Sequence, residues 1–268
     1  AWDVWTGDPD FRIAVIDTGI NYLHPDLAPN VWTNPGEIPD NGVDDDGNGW
    51  IDDVHGYDFF NQDSDPLDDH RHGSHVAGTI GAAGNNALGV VGVNHQCSLV
   101  ALKIFDSGGR GFTSDAVLAM EYAIQNGIRV SNNSWGCSDE NSECYSQALF
   151  DVIEASQAVG HVFVAAAGND FGNDNDAIPY YPASYDLFNI ISVAAIDNRD
   201  RLAIFSNLGV TSVDLAAPGT CIYSTVLGSS YGYLDGTSMA APHVAGAWAV
   251  LKSQIPEFSV DQVFQALS

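Results

Sequence analysis

Five short apolar runs, separated by helix-like stretches, constrain this chain more than any other feature. They are RIAVID at 12–17, SLVALKIF at 98–105, GIRVSNNSWG at 127–136, HVFVAAAGN at 161–169 and NIISVAAID at 189–197. Their apolar residues are continuous rather than alternating, the pattern of strands covered on both faces. Between them, SDAVLAMEYAIQNG at 114–127 opens with Ser and Asp and closes with Gly, the expected helix caps. SQALFDVIEASQAVG at 146–160 also closes with Gly, and MAAPHVAGAWAVLKSQ at 239–254 reads as the last long helix. Pro242 is placed in the first turn of that helix, where a missing N–H is harmless. Strands alternating with helices predict an α/β architecture with a parallel sheet and crossover helices.

The chain has 268 residues, 45% of them hydrophobic, enough for one large domain or two merged small ones. Its 8 basic and 35 acidic residues give a formal charge of −27. Such a surface repels nucleic acid and anionic membrane. It suits solubility, cation binding or salty surroundings. No apolar run approaches the roughly 20 residues needed to span a bilayer. No signal peptide is seen, so a secreted protein would be a mature form. Four cysteines fit two disulfides or four free thiols. Cys137 and Cys144 flank the polar stretch SDENSE, which favours a local bridge and leaves Cys97 with Cys221 as the remaining pairing.

Ligand sites in parallel α/β sheets form beyond the carboxyl ends of the strands. Asp17, Ser134 and Asn169 follow three such ends. DDHRHGSHVAGT at 68–79 adds His70, His72 and His75, and DGTSMAAPHVAG at 235–246 places Ser238 at a helix start. A carboxylate, an imidazole and a serine from separate segments can serve as orienting acid, base and nucleophile. A side-chain amide such as Asn169 can donate to a developing oxyanion. Residues 30–70 are Asp-, Asn- and Gly-rich and read as a long irregular insertion. Loops of that length usually serve a function or hold a ligand.

Six segments occurring in order resemble the subtilisin-like serine proteases of the subtilisin and thermitase kind. They are VIDTGI at 15–20, HGSHVAGTIGA at 72–82, NNSWG at 132–136, AAAGN at 165–169, APGT at 217–220 and DGTSMAAPHVAGA at 235–247. The glutamate-using sedolisins fit less well, because they lack this histidine. The resemblance implies a three-layer subtilisin-like fold, a central mostly parallel β-sheet flanked by helices, in a single peptidase domain over 1–268. It implies that Ser238 is the nucleophile, His72 the base, Asp17 its orienting acid and Asn169 an oxyanion donor. Ser74 stands where threonine is usual; His75 is then a packed helix histidine and His70 a rim or calcium-loop residue.

By the same resemblance a peptide binds as an added β-strand between two edges, Gly109, Arg110 and Gly111 on one side and Ser134, Trp135 and Gly136 on the other. The first side-chain pocket is walled by Ser134–Gly136 and by Ala166, Ala167 and Gly168. Small walls leave room for a sizeable apolar side chain. Tyr180 aligns near the floor, where it would restrict depth, and no acid aligns there for Lys or Arg.

Three loops look suited to Ca2+, so one to three structural sites are expected. Hard cations take several oxygen ligands from flexible loops. The first set, by resemblance, is Asp26 and Asn86 with the carbonyls of Gly84, Leu88 and Val90. The second, in a loop resembling the thermitase type, is Asp58, Asn61, Asp63 and Asp65, and nothing apolar nearby in sequence would hold that loop shut. The third follows the start of an EF-hand pattern: Asp44, Asp46 and Asn48, then Gly49, with Asp52 at the ninth position but His55 where Glu is usual. The expected whole is a secreted, monomeric, calcium-stabilised serine endopeptidase acting on proteins and peptides, with a propeptide in its precursor and no nucleic-acid or membrane partner. A non-catalytic peptide-binding homologue, or an esterase with the same residues, is the alternative.

Overall fold

The computed structural model describes residues 2–267. In chain order the elements are β1 (Gly7–Asp17), β2 (Gly56–Asp58), α1 (His72–Gly81), β3 (Gln96–Lys103), α2 (Thr113–Gln125), β4 (Val130–Asn133), β5 (Cys137–Ser138) and α3 (Gln147–Ser156). There follow β6 (Val162–Ala166), β7 (Tyr180–Tyr181), β8 (Ile190–Ile196), β9 (Leu215–Pro218), β10 (Ile222–Val226), β11 (Ser230–Leu234), α4 (Thr237–Gln254) and α5 (Val260–Leu267). Seven strands form one sheet in the order β2-β3-β1-β4-β6-β8-β9. Every neighbouring pair in it is parallel.

The unbroken apolar run of β1 explains the three layers. Successive strand side chains point to opposite faces. Ile13 and Val15 join Val76 and Ile80 of α1 and Trp248 of α4 in one core. Ala14 and Ile16 join Ala119 and Met120 of α2 and Ile153 of α3 in the other. Both faces are dry, so a run such as Ile13–Ile16, all 0% exposed, has no polar side to show. The fold is the expected three-layer, parallel α/β arrangement. Among the described residues no helix is long and apolar enough to cross a membrane.

Several local expectations change. Pro242 lies six residues into α4, not in its first turn. It therefore leaves the Ser238 carbonyl without its helical donor, and the Ser134 hydroxyl supplies one at 2.9 Å. α2 begins at Thr113 after Phe112, with no side-chain cap. Of 127–136, Val130–Asn133 is strand and 134–136 leave the sheet. The second calcium loop is not without apolar support. Phe59 is 1% exposed, and Trp50 packs tilted or edge-on against Tyr57, Phe59 and Tyr122 with ring centroids 4.7, 5.0 and 6.2 Å apart. These aromatics pin the insertion to α2.

Candidate active site

The parallel sheet carries Asp17 to the end of β1, where it is 1% exposed. One carboxylate oxygen accepts from the Thr18 backbone N–H at 2.7 Å. His72 Nδ1 lies 2.8 and 3.0 Å from the two oxygens. An ionised carboxylate only accepts, so Nδ1 carries the proton and Nε2 is left as the free acceptor. His72 is the first residue of α1, and Gly73 lets that helix close on β1. A Cβ at Gly73 would stand 2.1 Å from the Gly19 carbonyl oxygen.

Asp68, 4% exposed, fixes the entry into α1. It accepts from the Thr18 hydroxyl, the His70 and Arg71 N–H groups and the Ser74 N–H, each at 2.9 Å. The Ser74 hydroxyl also donates to it at 2.5 Å. Burial alone would lower the His72 pKa. The charge and hydrogen bond of Asp17, with Asp68 beyond, outweigh it and hold the imidazole above the ordinary histidine value.

Ser238 stands half-buried in the first turn of α4. Its hydroxyl donates to the Ser134 carbonyl at 3.2 Å; among the described residues it makes no hydrogen bond to His72. Such bonds are often absent until a substrate is bound. Asn169 accepts from Thr237 N and Oγ1 at 2.9 and 3.1 Å through its side-chain oxygen. That orientation turns the amide NH2 away from Thr237, beside Gly236, where a Cβ would lie 3.7 Å from Nδ2.

A groove of about 490 Å³ runs past Asp17 and His72 between the two expected edges, Gly109–Gly111 and Ser134–Gly136. His70 lines its rim. His75 is fully buried and donates from Nε2 toward the Ile222 and Gly232 carbonyls at 3.0 and 3.2 Å. Burial lowers its pKa to about 4, so it is a neutral packed histidine. Trp135 donates to the Ile16 carbonyl at 3.0 Å, tying the edge to β1. The expected first side-chain pocket is narrowed by Tyr180. Ala166 and Ala167 are 3% and 0% exposed, Gly168 is also buried, and the Tyr180 ring stands between Gly168 and Gly136.

Lys103 escaped the sequence reading. Its ammonium, on a residue 1% exposed, donates to the carbonyls of Thr18 and Phe105 and to Asp69 at 3.0, 2.6 and 2.8 Å. It joins the strand end behind Asp17, the loop into His72 and the start of the Gly109–Gly111 edge. A lysine ending an apolar strand run was the available signal.

The acidic loops have distinct geometries. Asp26, 0% exposed, accepts from Asn86 Nδ2 and Val90 N at 2.6 and 2.9 Å and from Tyr231 at 3.1 Å. Gly84 and Leu88 lie in the same loop, where Leu88 N donates to Asn86 at 3.0 Å. Asp58, 0% exposed, accepts from Asn61 N and Nδ2 at 2.9 and 2.8 Å, and burial raises its pKa despite them. Asp63 pairs its backbone with Asp58, and Asp65 accepts from Tyr22 at 2.7 Å.

In the third loop Asp46 groups with Glu37 and Asp53, their oxygens within 4.8 Å of one another, and Asn48 donates to Asp53 at 3.0 Å. Asp44 and Asp52 turn elsewhere. Asp44 accepts from Gly47, Asn48 and Gly49 N–H groups, and Asp52 from Asn41 and Gly42. Glu37 and Asp53 were not expected, because the EF-hand spacing points to the neighbouring Asp52. All these donors are oxygens and several are buried acids, a set that fits a hard cation.

Cys137 and Cys144 form the expected bridge. Cys97 and Cys221 do not pair: one is buried, the other exposed, and both are free. Cys97 lies inside the core, so no partner reaches it.

A doubly covered parallel sheet, with a carboxylate–imidazole pair and a helix-start serine at its strand ends, defines the subtilisin-like class. The chain belongs to the subtilase family, whose model matches residues 8–268. It is 42% identical over 95% of its length to a thermophilic serine proteinase of Bacillus sp. (strain AK1), and spans 55% of that protein. It is 38% identical over 95% of its length to thermitase of Thermoactinomyces vulgaris, of which it spans 78%. A crystal structure of a cold adapted subtilisin-like serine proteinase superposes with a TM-score of 0.74 at 29% identity, covering 95% of this chain and 80% of that one. The chain spans about half the length of several curated relatives it matches.

Proposed function

We propose that this chain is a calcium-stabilised serine endopeptidase. The observation that carries the reading is the buried Asp17 carboxylate, joined to His72 at 2.8 Å on a groove whose Ser134 edge exchanges two hydrogen bonds with Ser238 at the start of α4. A peptide lies between the Gly109–Gly111 and Ser134–Gly136 edges as an added strand. The Ser238 hydroxyl leaves the Ser134 carbonyl, gives its proton to His72 Nε2 and attacks the scissile carbonyl carbon. Asp17 keeps the proton on Nδ1 and stabilises the imidazolium. The oxyanion accepts from Asn169 Nδ2 and from the Ser238 backbone N–H, one of the first-turn groups with no helical acceptor. His72 returns the proton to the leaving amine. Water, deprotonated by the same imidazole, then releases the acyl group.

Three sets of residues would hold Ca2+: Asp26 with Asn86 and the carbonyls of Gly84, Leu88 and Val90; Asp58, Asn61, Asp63 and Asp65; and Glu37, Asp46 and Asp53, with Asn48 alongside. The cation would supply positive charge to carboxylates that the fold crowds together. The Cys137–Cys144 bridge suits an oxidising compartment, in keeping with secretion of a monomeric mature form from a propeptide-bearing precursor. The test is Ser238→Ala. Peptide hydrolysis should fall by a factor on the order of 10^6, a scale carried over from related subtilisins, with the melting temperature retained. Substantial residual turnover in a clean preparation would refute the assignment.

A further inference from the structure

We propose that Tyr180 closes the first side-chain subsite, so that this chain cuts after short side chains such as Ala, Ser or Gly rather than after large apolar or aromatic ones. The proposal rests on the peptidase reading and deepens it by naming the substrate class.

The geometry comes from two glycines on opposite walls. A Cβ at Gly136 would stand 2.5 Å from Tyr180 Cε1, and a Cβ at Gly168 would stand 2.8 Å from Tyr180 Cδ2. The ring therefore touches the backbone of both walls and fills the gap between them. The open groove is bounded by Ser134–Gly136 and by Tyr180 itself, while Ala166–Gly168 lie behind the ring and do not line it. A long side chain entering from the scissile carbonyl meets the phenol instead of a cavity.

The ring's backbone is tied on each side, so it is not free to step aside as a unit. β7 pairs antiparallel with β5, Ser138 opposite Tyr180. Tyr180 N donates to the Ser184 hydroxyl at 3.0 Å, and Ser184 N returns a bond to the Tyr180 carbonyl at 2.9 Å. One residue earlier, Asp139 N donates to the Pro179 carbonyl at 2.8 Å. β5 starts at Cys137, and Cys144 bridges back to it. Burial first, then the charge of Asp170, raise the phenol pKa to about 12. The floor is thus a neutral ring, with no anion to draw in Lys or Arg.

Forcing a large group into a filled site requires displaced side chains and backbone. One methylene in an apolar pocket already changes selectivity by about 10–200-fold. The experiment uses the full chain with Ca2+ and two peptides that differ only in Ala or Phe at the residue contributing the scissile carbonyl. Active enzyme is counted by organophosphate titration.

The wild type should favour Ala over Phe in kcat/KM by at least about 10-fold. Tyr180→Gly should reverse the preference, and Tyr180→Phe, which keeps the ring, should retain it. A wild type that cuts after Phe as well as after Ala overturns the proposal even if Tyr180→Gly fails to fold. So does a Tyr180→Gly variant that cleaves the Ala peptide with an unchanged ratio. If the enzyme titrates with organophosphate but shows no discrimination, only the subsite proposal fails. If it neither titrates nor cleaves either peptide, the peptidase reading fails and this proposal with it.

Discussion

Two regions of this molecule are held together by different physics. The frame around Asp17, His72 and Ser238 is a parallel ladder with dry cores on both faces. The insertion before α1 is held largely by carboxylates accepting backbone N–H groups. Glu37 takes those of Asp45, Asp46 and Asp52, while Ile38, Val43 and Ile51 stay exposed at 61%, 52% and 51%. Its apolar anchor is the aromatic group at Trp50, Tyr57 and Phe59. Burial of apolar area sets up no charge for a cation to compensate, whereas clustered carboxylates repel one another until one does. The contrast teaches that the proposed catalytic residues sit on the region held by apolar burial, while the entry to α1, at Asp68 and Asp69, follows the region held by carboxylates.

The largest expected effect lies in the frame. Asp17→Asn should lower kcat by about 10^4, because the imidazole loses its acceptor and its tautomer. It should also move the acid limb of the rate profile. In the native protein Asp17 helps hold the His72 pKa above its ordinary value, so activity falls as pH drops through that raised value. Removing the carboxylate moves the limb to lower pH. A pH–kcat series on both forms checks it; an unmoved limb would mean that Asp17 does not act through His72.

Chelation separates the regions next. A cation bound by the folded state alone stabilises by about 2.7 kcal/mol at 100 times its Kd, a sizeable part of total stability. Chelated enzyme should lower its Tm and cut itself first in the exposed stretches 38–45 and 61–65, on either side of the aromatic anchor. N-terminal sequencing of early fragments reads this out. Unchanged Tm, or first cuts inside the frame, would erase the comparison.

The smallest effect falls on the seam. Lys103→Met leaves the Thr18 and Phe105 carbonyls without their donor, which costs about 1–3 kcal/mol each, and frees Asp69 at the entry to α1. Urea unfolding should show the loss, and kcat should fall more than KM rises, because the base is mispositioned. A variant with wild-type stability and kcat would show that the seam carries nothing.

What could be read from the sequence follows the same divide. The apolar runs named the main strands because a strand buried on both faces leaves an unbroken signal. β2, at three residues, and the hairpin β10–β11, in which apolar and polar residues are interleaved, leave none. Asp17, His72, Asn169 and Ser238 sit in short local patterns and could be named. Glu37 and Asp53 could not, since folding alone brings them to Asp46. Tyr180 could be placed near the pocket floor, but that its ring spans the two glycine walls is a matter of tertiary packing.

The central claim is that His72, held by Asp17, activates Ser238 and no other serine. A fluorophosphonate probe, followed by peptide mass mapping, tests it most directly. The account predicts one label per chain, on Ser238, formed slowly in His72→Ala. A label on another serine, or the same labelling rate in His72→Ala as in the wild type, would contradict it.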